Sequence, residues 1–366
     1  MKRIITLLCF FILLSCNKDE TSPNDSDTEL NLYFPPANST EWDITTPESL
    51  NWDTETLDEL RTFLSENKTR AFILLKDGKI VVEEYWGKTI LNSAEFNKDA
   101  IWYWASAGKT LTSFLVGLAQ EQGLLDINDK TSEYLGKGWS KVPSEKEDLI
   151  HIKHQLTMTT GLDYEVENAD CTASECLQYK ADAGTQWYYH NAPYTLLENV
   201  VSTAAKKNYN TFTDEKIETQ IGMNGTWIAS GNNNVYWSTA RDAARFGLLL
   251  LNKGTWNDQP VMHDTTYYHS MVNSSQNLNP SYGYLCWLNG KSSIIIPGLP
   301  TSFKIPLSSN APADLFAAIG KNAQFIEVVP SQNLVLVRMG EAPNNSLVPV
   351  IFHDDMWEKV NALIRE

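Results

Sequence analysis

Apolar and polar positions alternate in two regimes along this 366-residue chain. Between Asn51 and Asn67, Leu57, Leu60 and Leu64 recur on one face, and Asp53 stands where a cap is needed, so the spacing predicts a helix. The next stretch, AFILLKDGKIVVEEYWG (71–87), changes period. Two apolar, β-branched runs flank Lys76-Asp77-Gly78-Lys79, the signature of a hairpin. From Ser106 to Gln122 the pattern is helical again, with Leu111, Phe114, Leu115 and Leu118 on one stripe and Gly123 as a natural stop. Residues 124–225 read mostly as helix and loop. RDAARFGLLLLNKG (241–254) is a further helix closed by Gly254. Strand-like runs follow: SSIIIPG, DLFAAIG, QFIEVVP and LVLVRMG, the last two joined by a turn at Pro330-Ser331-Gln332-Asn333. The chain finishes in an amphipathic helix carrying Met356, Val360, Leu363 and Ile364.

Strands at both ends and helices between them predict a mixed α/β (α+β) fold. Its frame is an antiparallel sheet flanked by helices, with a mainly helical region inserted at about residues 110–225. The hairpin near residue 80 must then pair with strands near residue 320.

The N-terminus departs from this pattern. Lys2 and Arg3 precede an apolar run from Ile4 to Leu14, too short to span a bilayer and laid out as a secretory signal. It ends in Leu13-Leu14-Ser15-Cys16, which resembles a bacterial lipobox and implies cleavage before Cys16 with lipid attached to its thiol. NKDE (17–20) resembles an export tag of surface lipoproteins. Residues 16–40 are polar, acidic and Pro-containing, and read as a flexible tether to a folded body spanning 41–362. The expected location is therefore the cell envelope, lipid-anchored in the periplasm or at the outer-membrane surface.

Charge narrows the partners. The chain has 29 basic and 45 acidic residues; without residues 1–15, and so without Lys2 and Arg3, the balance is 27 to 45. A body this acidic repels polyanions, which argues against nucleic acid. In an exported chain, Cys171 and Cys176 of DCTASEC (170–176) are expected to bridge as a small-loop disulfide, the alternative being two free thiols. The six His form no H-E-x-x-H and no second Cys pair is present, so no metal site and no cofactor is expected.

Candidate chemistry concentrates in WYWASAGKT (102–110). Its tail looks like a phosphate-binding loop, but that motif needs glycine at position 103, where Tyr103 stands, with bulky Trp102 and Trp104 around it. The alternative is S-x-x-K. Ser106 and Lys109, three apart at a helix start, share a face and can touch. A serine hydroxyl needs a base, and burial at the positive end of a helix lowers a lysine's pKa enough for it to serve.

Several further segments in the same order resemble the serine β-lactamase and penicillin-recognising hydrolase superfamily. They are KTLTSFLVGLAQEQGLLDINDKTSEYL, HIKHQLTMTTGLDY, WYYHNAPYTLLENVV and STARDAARFGLLLLNKG, spread over most of residues 70–340. The resemblance implies that Ser106 is the nucleophile and Lys109 its lysine. Tyr189-His190-Asn191 matches the Y-x-N element of the class C and esterase or nylon-oligomer hydrolase branch. Tyr189 would shuttle the proton as a partly ionised or cation-bonded phenol, with Tyr188 as the neighbour it could be confused with. Asn191 would hold a substrate amide or the lysine. The K-T-G or H-x-G strand element of the family is missing; Lys321 in AAIGKNAQ is the candidate substitute, and the strand there would supply an oxyanion N–H. The expected function is cleavage of an ester or amide, including short peptides, through an acyl-enzyme. The competing readings are a receptor of the same fold without turnover, or a glycan binder using some of the 12 Trp.

Overall fold

The computed structural model describes residues 32–345 and 349–365. The expected signal segment, Cys16 and the expected tether as far as residue 31 lie outside the described residues.

The expected hairpin forms as Thr69–Lys76 and Lys79–Tyr85. Its two-residue turn has positive φ at both Asp77 (51°) and Gly78 (82°), the geometry that matches strand twist. Gly78 is required for a second reason: a Cβ there would sit 1.9 Å from the Tyr33 carbonyl oxygen. The hairpin forms one edge of a six-stranded antiparallel sheet, in the order 79–85, 69–76, 334–340, 324–329, 316–320 and 287–288. The two ends of the chain thus do share a sheet. The hairpin, however, pairs with Leu334–Gly340, not with the strand ending at Gly320, which lies two strands further in. All seven residues of Leu334–Gly340 are buried. The Ala240–Leu251 helix packs over this strand, and the C-terminal helix Val350–Ile364 packs with Leu57–Glu66. The first of these helices begins one turn later than its sequence pattern, after a 3-10 turn at Thr54–Thr56 capped by Asp53.

Three expectations change. Residues 32–40, read as tether, belong to the folded body. Leu32 is buried, and the Tyr33 N–H donates to the Asp77 carbonyl at 2.9 Å. Buried Arg245 donates to the carbonyls of Pro35 (3.4 Å), Pro36 (3.2 Å) and Ser39 (2.8 Å). The apolar triplet Leu32-Tyr33-Phe34 explains why this polar stretch adheres. Second, the helical insertion is closed by a small antiparallel sheet that the pattern did not announce: Trp102–Tyr103 pairs with Asn233–Ser238, which pairs with Gly225–Ser230. Third, SSIIIPG yields only Ile294–Ile295, paired with Ser302–Phe303 outside the main sheet. Among the described residues no helix is long and apolar enough to cross a membrane.

Candidate active site

Ser106 is held by what precedes it. Trp104 is almost fully buried; its N–H donates to the Tyr236 carbonyl and its indole N–H to the Ser238 hydroxyl, both at 2.8 Å. The chain then turns through Ala105 at φ 48°, a left-handed conformation unusual for a residue with a Cβ. Ser106 occupies the 3-10 turn Ala105–Ala107 that runs into the buried helix Gly108–Glu121. Gly320, at the end of the Phe316–Gly320 strand, presses on this turn. A Cβ on Gly320 would lie 2.4 Å from the Trp104 carbonyl oxygen and 3.0 Å from the Ala107 nitrogen.

Lys109 lies one turn along and donates from Nζ to Ser106 Oγ at 3.0 Å. It is 3% exposed and has no salt-bridge partner among the described residues. Its Nζ sits 4.1 Å from the ring centre of Tyr194 and 5.0 Å from that of Tyr189. Burial penalises the ammonium and lowers the pKa from 10.5 to about 7, against a smaller opposing pull from Asp170. An amine of that pKa is substantially neutral at neutral pH.

The structure brings Tyr189 to the same point. Its phenol lies beside the Ser106 side chain, and its ring stacks on Trp287 at 5.7 Å. Burial raises its pKa, and the Ser106 contact only partly offsets this. Of the two forms expected from the sequence, partly ionised or cation-bonded, burial disfavours the first and keeps the phenol neutral, while Lys109 Nζ stands 5.0 Å from the ring centre. Tyr188 also lines the cleft, but its ring stacks on Tyr164 with centroids 3.6 Å apart.

Asn191 begins a short helix, Asn191–Thr195. Of its two expected roles, the hold on Lys109 is not made as a hydrogen bond among the described residues. Its Nδ2 donates to Asp170 Oδ1 at 2.8 Å, and its buried Oδ1 has no partner. Lys321 follows the Phe316–Gly320 strand directly and stands exposed at the cleft rim, in a turn with positive φ at Asn322 and Ala323. That turn is clamped from beneath: Arg338 donates to the Asn322 and Ala323 carbonyls, and Gln324 to that of Lys321.

Ser106, Tyr189, Asn191 and Lys321 all line one cleft of about 250 Å³. Trp287, Ile294, Ile296, Leu307 and Ile319 form its apolar wall, and Asp170 faces it from the polar side. Cys171 and Cys176 are joined by a disulfide, Cα–Cα 5.9 Å, immediately after Asp170. Among the described residues no three His, Cys, Asp or Glu side chains gather as a metal site.

Residues 68–346, most of the chain and all of this cleft except Val350, match the family described as Beta-lactamase. The protein belongs to the beta-lactamase family. Its resemblance to individual members is distant. An uncharacterised protein of Alkalihalophilus pseudofirmus is 25% identical over 301 residues, covering 73% of this chain and 82% of that one. The D-alanyl-D-alanine-carboxypeptidase/endopeptidase AmpH of Escherichia coli is 26% identical over 179 residues, 45% of this chain and 46% of that enzyme. Among solved structures, a Bacillus anthracis protein assigned as a 6-aminohexanoate-dimer hydrolase superposes with TM-score 0.67 at 17% identity, covering 90% and 89% of the two chains. A penicillin-binding protein from Bacillus halodurans gives 0.61 at 16%, covering 83% and 99%. These structures share the fold.

Within this beta-lactamase-family frame, the sequence pointed to the residues that meet at Ser106 but not to Asp170, Tyr194 or Trp287. Tyr194 sits in the quoted segment, on the short helix Asn191–Thr195 that follows Tyr189, and no spacing marks it. Asp170 and Trp287 reach the cleft from loops and a two-residue strand, and no local pattern marks them.

Proposed function

We propose that the protein is a serine hydrolase cleaving an ester or amide bond through an acyl-enzyme on Ser106. The observation that carries this is the 3.0 Å contact between Ser106 Oγ and a Lys109 amine whose pKa lies near 7. The neutral amine takes the hydroxyl proton as Oγ bonds to the substrate carbonyl carbon. The proton passes by way of the Tyr189 phenol to the departing alkoxide or amine as the carbon–leaving-group bond breaks. Water then repeats the attack, giving up its proton by the same route, and Ser106 is restored. The N–H of Ser106 lies ahead of the helix, where amides lack intrahelical acceptors, and the Gly320–Lys321 strand end abuts that turn. We take these two backbones as the oxyanion donors.

Esters, linear amides and short peptides fit this chemistry; the D-peptide named for the Escherichia coli relative is one such substrate. The absent K-T-G element argues against a β-lactam as the preferred one. Labelling with a fluorophosphonate tests the reading: wild type should be labelled and Ser106→Ala should not. Equal labelling of the two would overturn it.

The envelope location belongs to the same proposal and rests on residues 1–16. Lipid attachment at Cys16 predicts incorporation of an alkyne-tagged fatty acid that Cys16→Ala abolishes, with the variant recovered in the soluble fraction.

A further inference from the structure

Arg338 stands fully buried in the strand Leu334–Gly340, and its five N–H donors all go to uncharged oxygens. Nε donates to Thr69 Oγ1 at 3.2 Å. Nη1 donates to the carbonyls of Asn322 (2.6 Å) and Ala323 (3.1 Å), and Nη2 to those of Asn67 (2.9 Å) and Glu341 (3.0 Å). Among the described residues no carboxylate bonds this guanidinium, and burial pulls its pKa down to about 9. The neighbouring strand residue leaves room for it: a Cβ on Gly340 would lie 2.8 Å from Nη2. A buried charge held by neutral groups costs more than an apolar side chain at the same strand position.

The guanidinium holds a turn that its own sequence favours poorly. Asn322 and Ala323 both have left-handed φ, 65° and 59°; asparagine tolerates this, whereas the Cβ of alanine opposes it. The turn joins Phe316–Gly320 to Gln324–Val329, and Gly320 and Lys321 at its start line the cleft with Ser106. Two other groups close on the same turn. Buried Gln324 donates from Nε2 to the carbonyls of Lys321 (3.3 Å) and Asn322 (3.2 Å) and accepts from the Gly340 N–H at 3.0 Å. Asn322 Nδ2 donates to the Tyr103 hydroxyl at 2.8 Å. The Gly320–Lys321 backbone is thus fixed between this turn and the Ala105–Ala107 turn that carries Ser106. The bonds of Arg338 to Asn67 and Thr69 brace the start of the first strand, and they would serve stability alone.

We propose that Arg338 is a positioning residue of the hydrolase: by holding Asn322 and Ala323 in the left-handed conformation, it sets the Gly320–Lys321 backbone N–H where the oxyanion forms. This deepens the acyl-enzyme reading and rests on it.

The test compares Arg338→Lys, Ala323→Gly and the two combined, in hydrolysis of p-nitrophenyl butyrate with active sites counted by fluorophosphonate. Lysine keeps the charge but cannot span the several carbonyls that the guanidinium fork reaches. In Arg338→Lys, kcat should fall by about 10²-fold, the scale of a displaced oxyanion donor. The ester carbonyl stretch of the acyl-enzyme, read by rapid-mixing infrared spectroscopy, should move to higher frequency, because weaker donors polarise it less. Ala323→Gly alone should change kcat by less than about threefold, since the clamp already holds the turn. Added to Arg338→Lys it should restore about fivefold or more, because glycine adopts the left-handed turn without the Cβ penalty. A role in stability alone moves the melting temperature and neither of these readouts. The proposal is overturned by kcat within about threefold of wild type in folded Arg338→Lys, by a fall with the carbonyl stretch unmoved, or by no rescue. Should Arg338→Lys not fold, Thr69→Val, which withdraws one acceptor at matched shape, is read instead. It should lower kcat by about threefold or more with the same upward shift, and no change in either overturns the proposal. A wild type that takes no fluorophosphonate and turns over no ester defeats the hydrolase reading and this one with it. A labelled, active wild type matched by Arg338→Lys defeats only the positioning role.

Discussion

In the proposed hydrolase, the burial of Lys109 acts in two opposed directions. An ammonium this poorly solvated weakens the folded state, while the same burial makes the amine available as a base. Turnover per active enzyme should therefore rise with pH through about 7 and plateau above it, as read from kcat/KM for a neutral ester. Stability follows the same titration. Between about 7 and 10.5 the unfolded chain binds the proton that the folded chain has released, so the unfolding free energy gains with pH across that window. Below it the cost of the buried charge is felt in full. Lys109→Met should thus abolish hydrolysis yet raise the melting temperature at pH 6, with the gain shrinking towards pH 10.5. Tyr189→Phe keeps the ring on Trp287 but removes the hydroxyl, and kcat should fall by roughly 10²–10⁴-fold, the scale of a lost acid–base group. Tyr188→Phe, at a ring stacked on Tyr164, should change kcat by less than about threefold, since it removes no such group. Ser106, Lys109 and Tyr189 were legible in the sequence because helical spacing and an ordered set of motifs mark them. Asp170 was not: in a chain with 45 acidic residues a lone loop aspartate carries no local sign of what it faces.

At the scale of elements, the contact between the Phe316–Gly320 strand and the Ala105–Ala107 turn sets the geometry around Ser106. Gly320→Ala inserts a methyl group 2.4 Å from the Trp104 carbonyl oxygen, so strand and turn must part. Overpacking of this kind costs about 1–3 kcal/mol. A shift of about 1 Å at a reacting group can cost about 10²-fold in rate. The expected outcome is a loss of kcat well beyond the loss of melting temperature, with an unchanged far-ultraviolet circular dichroism spectrum. Long elements with a clear period were read correctly: the 69–85 hairpin, the helix after Ser106 and the strands at 316–340. The small sheet of Trp102–Tyr103, Gly225–Ser230 and Asn233–Ser238 escaped because one strand has only two residues and another buries only Trp227. Its pairing is decided by what Trp104 and Tyr236 bury together, which is tertiary information.

For the molecule as a whole, the folded body begins earlier than composition suggested. Arg245 is buried and draws three of its carbonyl acceptors from residues 35–39, while Gly222 packs so closely on Ala37 that a Cβ would touch its carbonyl oxygen at 2.2 Å. A chain starting at Glu41 strands that guanidinium, whereas one starting at Leu32 does not. The shorter protein should be less stable by about 3 kcal/mol or more, measured by denaturant unfolding of the two side by side. Polar, Pro-containing sequence hid this strap because backbone carbonyls, which any residue supplies, make the contacts. The closure of the main sheet has a temporal side as well. Synthesis runs from the N-terminus, so the Ser106 hydroxyl leaves the ribosome well before Gly320 and the strands that brace its turn have been translated. Until those last strands arrive, the growing chain carries the proposed nucleophile without the strand that braces its turn, and on that reading a polypeptide cut short before them should turn over no substrate.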